Sequence, residues 1–229
     1  MSGARSRRLA DESGFTLVEL LTAVVIGMVV VLAAFMLLDR SVASSSQIVM
    51  REETLQRGRQ AMEEITRQLR SQVCLDVDTP PIVQGSADEL TLYVDLGDGS
   101  RPPERRTLRF DRTAQTVTES RWVSTGAPPA ISYPTLATSS RVLATGVERD
   151  GAESFFRYYA FPATPGGLFA ELVPPLTAAT SATVVRIDVS FVTLPDHPRP
   201  QARLGTTLKD SIFVRTADTA KQQGGARCR

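Results

Sequence analysis

The sequence predicts an α+β fold, in which one long amino-terminal helix is packed on an antiparallel β-sheet. Three observations carry that expectation. Phe15 to Leu38 is an uninterrupted apolar run of 24 residues whose one charge is Glu19. Asp39 to Val73 has no proline and keeps its apolar residues at helical spacing. Beyond Pro80-Pro81 the apolar period changes from helical to alternating. The chain has 229 residues, and removing residues 1–14 and the two helical stretches leaves about 155, enough for a single compact domain. Its 26 basic and 25 acidic residues sum to +1. Composition therefore offers no net field that would select nucleic acid or an acidic surface.

Residues 1–14 carry Arg5, Arg7 and Arg8 beside Asp11 and Glu12. A short basic stretch before an apolar helix favours a cytoplasmic end, but Arg40 and Arg51 lie beyond the helix and leave orientation open on charge alone. As a helix, the run 15–38 extends roughly 36 Å, enough to cross a hydrocarbon layer of about 30 Å. It exceeds the apolar core of a signal peptide, about 7–15 residues, and no A-x-A site follows it, so the body is expected to stay attached to its anchor. Inside such a helix Glu19 costs on the order of 3 kcal/mol and needs a partner or a purpose.

The helix should continue through residue 73 as an amphipathic stalk. Ile48, Leu55, Met62, Ile65, Leu69 and Val73 trace one face, with Glu52, Arg57, Arg59, Glu63, Glu64, Arg67 and Arg70 mostly off it. Two or three heptads are too few to predict a coiled coil. Strands follow. Leu90, Leu92, Val94 and Leu96 alternate with Glu89, Thr91, Tyr93 and Asp95, which predicts a strand with one buried face, closed by an Asp98-Gly99 turn. Leu108 and Phe110 mark a second strand and Val117 to Val123 a third. Residues 124–140 read as loop, and Arg141 to Val147 as a short strand. Phe155 to Phe161 is apolar on both faces and belongs in the middle of the domain. After a turn over Pro162 to Gly167, Val185, Ile187, Val189 and Phe191 alternate with polar residues, and Leu208 to Arg215 supply a last strand. Residues 216–229 read as a flexible tail.

Few residues promise chemistry. His197, the one histidine, sits among prolines and predicts a solvated loop, neither a metal centre nor a triad. Asp95, Asp98 and Ser100 are loosely like an oxygen-rich calcium loop, yet the spacing of known loops is absent and a hairpin turn explains them. No cofactor or metal is expected. Arg101, Arg105, Arg106, Arg109 and Arg112 form the densest basic run; the simple account is the solvated side of a sheet, the sharper one a contact with DNA or an acidic subunit.

Gly14-Phe15-Thr16-Leu17-Val18-Glu19 and the apolar run it opens resemble the processing site of type IV prepilins and pseudopilins. The resemblance implies removal of a cytoplasmic leader, residues 1–14, by a prepilin peptidase that cuts between Gly14 and Phe15 and methylates the new amine of Phe15. It implies that Glu19 neutralises the terminal amine of a neighbouring subunit during assembly. The domains would then be a transmembrane half at 15–38, a stalk at 39–73, an antiparallel β head at 74–215 and the tail. The AMEEITRQLRS helix end, YVDLGDG, RRTLRFD and VVRIDVSFVTLP are similar to the J-type (W-type) minor subunits. The function implied is a non-enzymatic minor pilin or pseudopilin, priming or near the tip of a type IV pilus or of a type II secretion or DNA-uptake pseudopilus. Its partners would be the prepilin peptidase, other major and minor pilins or pseudopilins, the inner-membrane assembly platform and the membrane, with DNA weakly supported. It would be a single-pass inner-membrane protein with its head outside, then part of a filament. The alternative is an anchored surface protein that binds DNA or another ligand outside any filament.

In that topology Cys74 and Cys228 lie outside the membrane, where disulfides persist. A bridge between them would tie the tail to the end of the stalk and stabilise by about 4 kcal/mol. Pilins often carry a carboxy-terminal disulfide loop, although a much shorter one. An even cysteine count permits the bridge without requiring it.

Overall fold

The computed structural model describes residues 15–76, 78–97, 102–126, 130–162, 164, 166–195, 205–217 and 228. Its first element, α1, is a single helix of 54 residues, Leu17–Arg70. The chain divides into two units, the first ending at Val49 and the second beginning at Met50. In the first unit every large apolar side chain from Phe15 to Leu38 is exposed. By length and composition this part of α1 can cross a membrane.

In the second unit α1 buries Thr54, Gly58, Ala61, Met62, Ile65, Thr66, Gln68 and Leu69. The buried stripe differs at its ends from the one expected, because Ile48 is exposed and Leu55 only half-buried. Gly58 explains the shift. A Cβ built there would lie 2.4 Å from Leu208 Cδ1 and 2.8 Å from Thr193 Cγ2, so the missing side chain is what admits the sheet. Thr54 is buried without penalty because its hydroxyl donates to the Met50 carbonyl at 2.7 Å. The helix stops at Arg70 because the next residues join the sheet: Gln72 bridges Val94, and the Val73 N–H donates to Tyr93 O at 3.0 Å.

Two antiparallel sheets follow. The first is a meander in chain order of β1 (Ile82–Gly85), β2 (Glu89–Val94), β3 (Glu104–Asp111), β4 (Thr116–Trp122) and β5 (Ser139–Thr145). The second contains β6 (Val147–Glu148), β7 (Phe156–Ala160), β8 (Ala170–Leu172), β9 (Arg186–Thr193) and β10 (Thr206–Phe213), ordered β10-β9-β7-β8 with β6 also on β9. A one-turn helix, α2 (Ala178–Ser181), is capped at Thr177 by reciprocal bonds with Thr180. The α+β, pilin-like architecture is as expected, a long amino-terminal helix followed by antiparallel sheets.

Three local expectations need correction. The stretch 141–147 is not one strand: Gly146, at φ 63°, breaks it, and β5 and β6 belong to different sheets. A Cβ at Gly146 would sit 3.0 Å from the Leu194 carbonyl oxygen, so both conformation and space require glycine. Second, β2 is buried on both faces rather than one, since Thr91 bonds Thr107 at 2.8 Å and Tyr133 stacks on Tyr93 at 5.6 Å. Third, the stretch 124–140 is not loop throughout, since β5 begins at Ser139; β1, β8 and α2, for which no element was expected, are too short to show a period.

One core joins α1 to both sheets through Ile65, Leu69, Leu90, Leu92, Leu108, Phe155, Phe156, Ile187 and Phe191, all fully buried. Phe155 is its centre, stacked on Phe110 at 5.1 Å and Phe191 at 5.4 Å, with Phe156 edge-on at 4.9 Å. The aromatic run is therefore core, as its two apolar faces predict. Cys74 and Cys228 form a disulfide with Cα atoms 5.6 Å apart. The rest of the predicted tail beyond Ala217 lies outside the described residues.

Candidate functional site

The amino-terminal site is built by Thr16-Leu17-Val18-Glu19. Thr16 is the cap of α1: its Oγ1 accepts from the Glu19 N–H at 3.3 Å, and its carbonyl accepts from the Leu20 N–H at 3.1 Å. The T-x-x-E spacing is that of a capping box, a helix-start signal legible in the sequence that the membrane reading passed over. Glu19 consequently occupies the first turn, where the helix dipole stabilises a carboxylate by about 0.3–1 kcal/mol. Phe15 is exposed, two residues ahead of the first helical residue. Gly14 lies outside the described residues.

A second constellation is on the head, where α1 meets the first sheet. Arg106 and Glu119 are both buried and 2.5 Å apart. Arg106 also donates to Glu104 at 2.7 Å, and Arg121 donates twice to Glu104. Arg141 reaches Glu119 through Nε and Glu64 of α1 through Nη2. Arg67 bonds Glu64 at 2.5 Å. Three carboxylates and four guanidiniums thus form one connected layer between the helix and strands β3, β4 and β5. Arg106 overturns the expectation that the 101–112 run is simply a solvated face. It shares the inward parity of Leu108 and Phe110, and Glu119, across a neighbouring strand, is its counter-charge.

Burial by itself would raise the Glu64 carboxyl, but hydrogen bonds from Arg67, Gln68 and Arg141 outweigh it and hold the group below its ordinary value. Glu104 is likewise raised by burial and brought lower by Arg121 and Arg106. Both folded pKa values are depressed, so their stabilisation is complete above the ordinary value of 4.5 and is lost as pH falls below it. Thermal melting followed against pH should show the head weakening on the acid side of that value. Glu64→Gln should flatten part of the slope, and an unchanged slope would remove Glu64 as a source.

Arg105, on the outer face of β3, is not free in solvent. Its guanidinium lies 4.8 Å from the Trp122 ring and 5.3 Å from Tyr133, whose hydroxyl donates to Pro103 O at 2.8 Å. Burial pushes the Tyr133 phenol up to about 12. Arg109 and Arg112 are exposed, as expected of a solvated face, and Arg101 lies outside the described residues. Asp95 accepts from the Gly97 N–H at 2.9 Å in a tight turn; Asp98, Ser100 and His197 are outside the described residues. Among the described residues no three His, Cys, Asp or Glu side chains converge on a point that would hold a metal ion.

The chain matches no curated protein. Residues 9–35 match the family model of the prokaryotic N-terminal methylation motif, a span that includes Gly14, Phe15, Glu19 and most of the apolar run. The motif supports a type IV pilin-like precursor, and its apolar helix fits membrane anchoring.

Proposed function

We propose that the chain is a non-enzymatic minor pilin or pseudopilin. On this reading it is inserted in the inner membrane by residues 15–38 with its head outside. A prepilin peptidase trims it after Gly14 and methylates Phe15, and it then enters a type IV pilus, a type II secretion pseudopilus or a DNA-uptake pseudopilus. The observation that carries the reading is the methylation motif coinciding with a capped apolar helix that has one acid, Glu19, in its first turn. A cut between Gly14 and Phe15 leaves two residues ahead of α1, which places the new amine within a turn of the Glu19 position. In an apolar layer an amine and a carboxylate from adjacent subunits relieve each other's desolvation. The likeness of the head's strand motifs to J-type subunits favours a place in the priming complex or just below the tip.

Amino-terminal mass spectrometry of protein from native membranes, with and without the peptidase, tests this. The expected terminus is methylated Phe15, present only with the enzyme. Gly14→Arg should leave the leader in place. Glu19→Ala should be processed but largely lost from filaments, because the amine then has no counter-charge. An intact leader in both strains would favour the anchored binding protein instead.

A further inference from the structure

The near-zero net charge conceals a radial separation of charge on one face of the head, where α1 meets β3, β4 and β5. Arg106 is buried with its acids, but in the three outer pairs of the acid–arginine layer the carboxylate is inside and the guanidinium outside: side-chain exposure is 20% for Glu64 against 58% for Arg67, 3% for Glu119 against 56% for Arg141, and 21% for Glu104 against 39% for Arg121. In these pairs the acids are spent inward, and the guanidiniums face the surface. Two recesses flank Arg67. One, of about 340 Å³, is rimmed by Arg67, Arg121 and Arg141 beside Ser139 and Ser140. The other, of about 470 Å³, has Met62 and Leu208 between Arg59, Arg67 and Arg70. Its carboxylates are Glu63 and Asp210, and Asp210 is already engaged by the Thr66 hydroxyl at 3.0 Å and the Ser211 N–H at 2.8 Å.

We infer that this arginine-rimmed face, on both sides of Arg67, docks an acidic segment of a partner protein. Each guanidinium has five N–H donors in a planar fork, and the internal bonds of Arg67 and Arg121 use one and two of their nitrogens. The outer edges remain to receive a carboxylate, bidentate where geometry allows. The apolar floor at Met62 and Leu208 suits the side chains that intervene between acids in a peptide. The evenly spaced phosphates of a nucleic acid would meet Glu63 and Glu119 as well as the arginines, whereas a peptide can set its acids at the guanidiniums and its apolar side chains between them. The docking stands on the head alone; naming the partner as a neighbouring filament subunit rests on the subunit reading.

The test uses the full chain in detergent micelles and a fluorescein-labelled peptide rich in glutamate and leucine, read by anisotropy. Binding that weakens with salt is expected, with little binding of the glutamine version of the peptide. Arg67→Gln and Arg121→Gln should each weaken binding roughly threefold to fivefold, the scale of one exposed ion pair. Their melting temperatures should hold, because Glu64 keeps Arg141 and Gln68, and Glu104 keeps Arg106. Arg109→Gln removes the same charge from the opposite face of β3 and should change binding little. No binding at low salt, an equal loss with Arg109→Gln, or a preference for duplex DNA over the peptide would each overturn the inference. A peptidase-independent terminus would defeat the subunit reading and leave this result standing.

Discussion

Arg106→Met should destabilise the head by about 3 kcal/mol, toward the low end of what stranding a buried charge costs. The partner left behind, Glu119, is 3% exposed and would keep Arg141 alone, whose side chain is itself half in solvent. Desolvation of Glu119 would then lack its buried counter-charge, the Arg106 guanidinium at 2.5 Å. The chain has one tryptophan, Trp122, and it lies on β4 three residues from Glu119, so its fluorescence reports unfolding at the right place. The double variant Arg106→Met/Glu119→Leu should recover most of the loss, because removing both members of a buried pair is far cheaper than removing one. A single-variant cost below about 1 kcal/mol would mean the pair behaves as an exposed one.

Loss of the disulfide is the other large effect. Cys74 and Cys228 are 154 residues apart in sequence, and closing so long a loop removes much of the unfolded chain's freedom. For a loop of this length Cys74→Ser or Cys228→Ser should each cost about 5 kcal/mol on the loop-entropy account, and the double variant no more than either alone. Reductant should lower the unfolding midpoint of the parent chain and leave the variants unmoved. A midpoint insensitive to both mutation and reductant would show that the head is already held without the bridge.

The long helix, the change of period after Pro80-Pro81 and the strands around Leu108, Val117, Ile187 and Leu208 were legible because each is long enough for its periodicity to stand out. Phe155 and Phe156 announced themselves as core because they have no polar face. What stayed hidden were pairings between distant positions. Nothing local marks Glu119 as the partner of Arg106, since a charged residue in an alternating strand looks solvated whichever face it occupies. The buried stripe of α1 was misplaced by its small residues, because Thr54 and Gly58 bury well without apolar side chains when a sheet approaches closely. At the amino-terminal site Thr16 and Glu19 were visible as a motif for processing, and their capping geometry uses the same two letters for a second purpose.

Gly146 has a mechanical consequence. Among the described residues all strands before it belong to the first sheet and all strands after it to the second, so the backbone crosses between the layers at this corner. That corner is clamped on both sides: the Leu194 N–H donates to Gly146 O at 2.7 Å, and the Val147 N–H donates to Gln115 O at 2.9 Å. Sliding one sheet over the other would have to twist this residue or tear both bonds, whereas side chains in a core can re-seat by changing rotamer. The seam therefore resists shear, and a pull applied to strands of either layer reaches the other through the main chain.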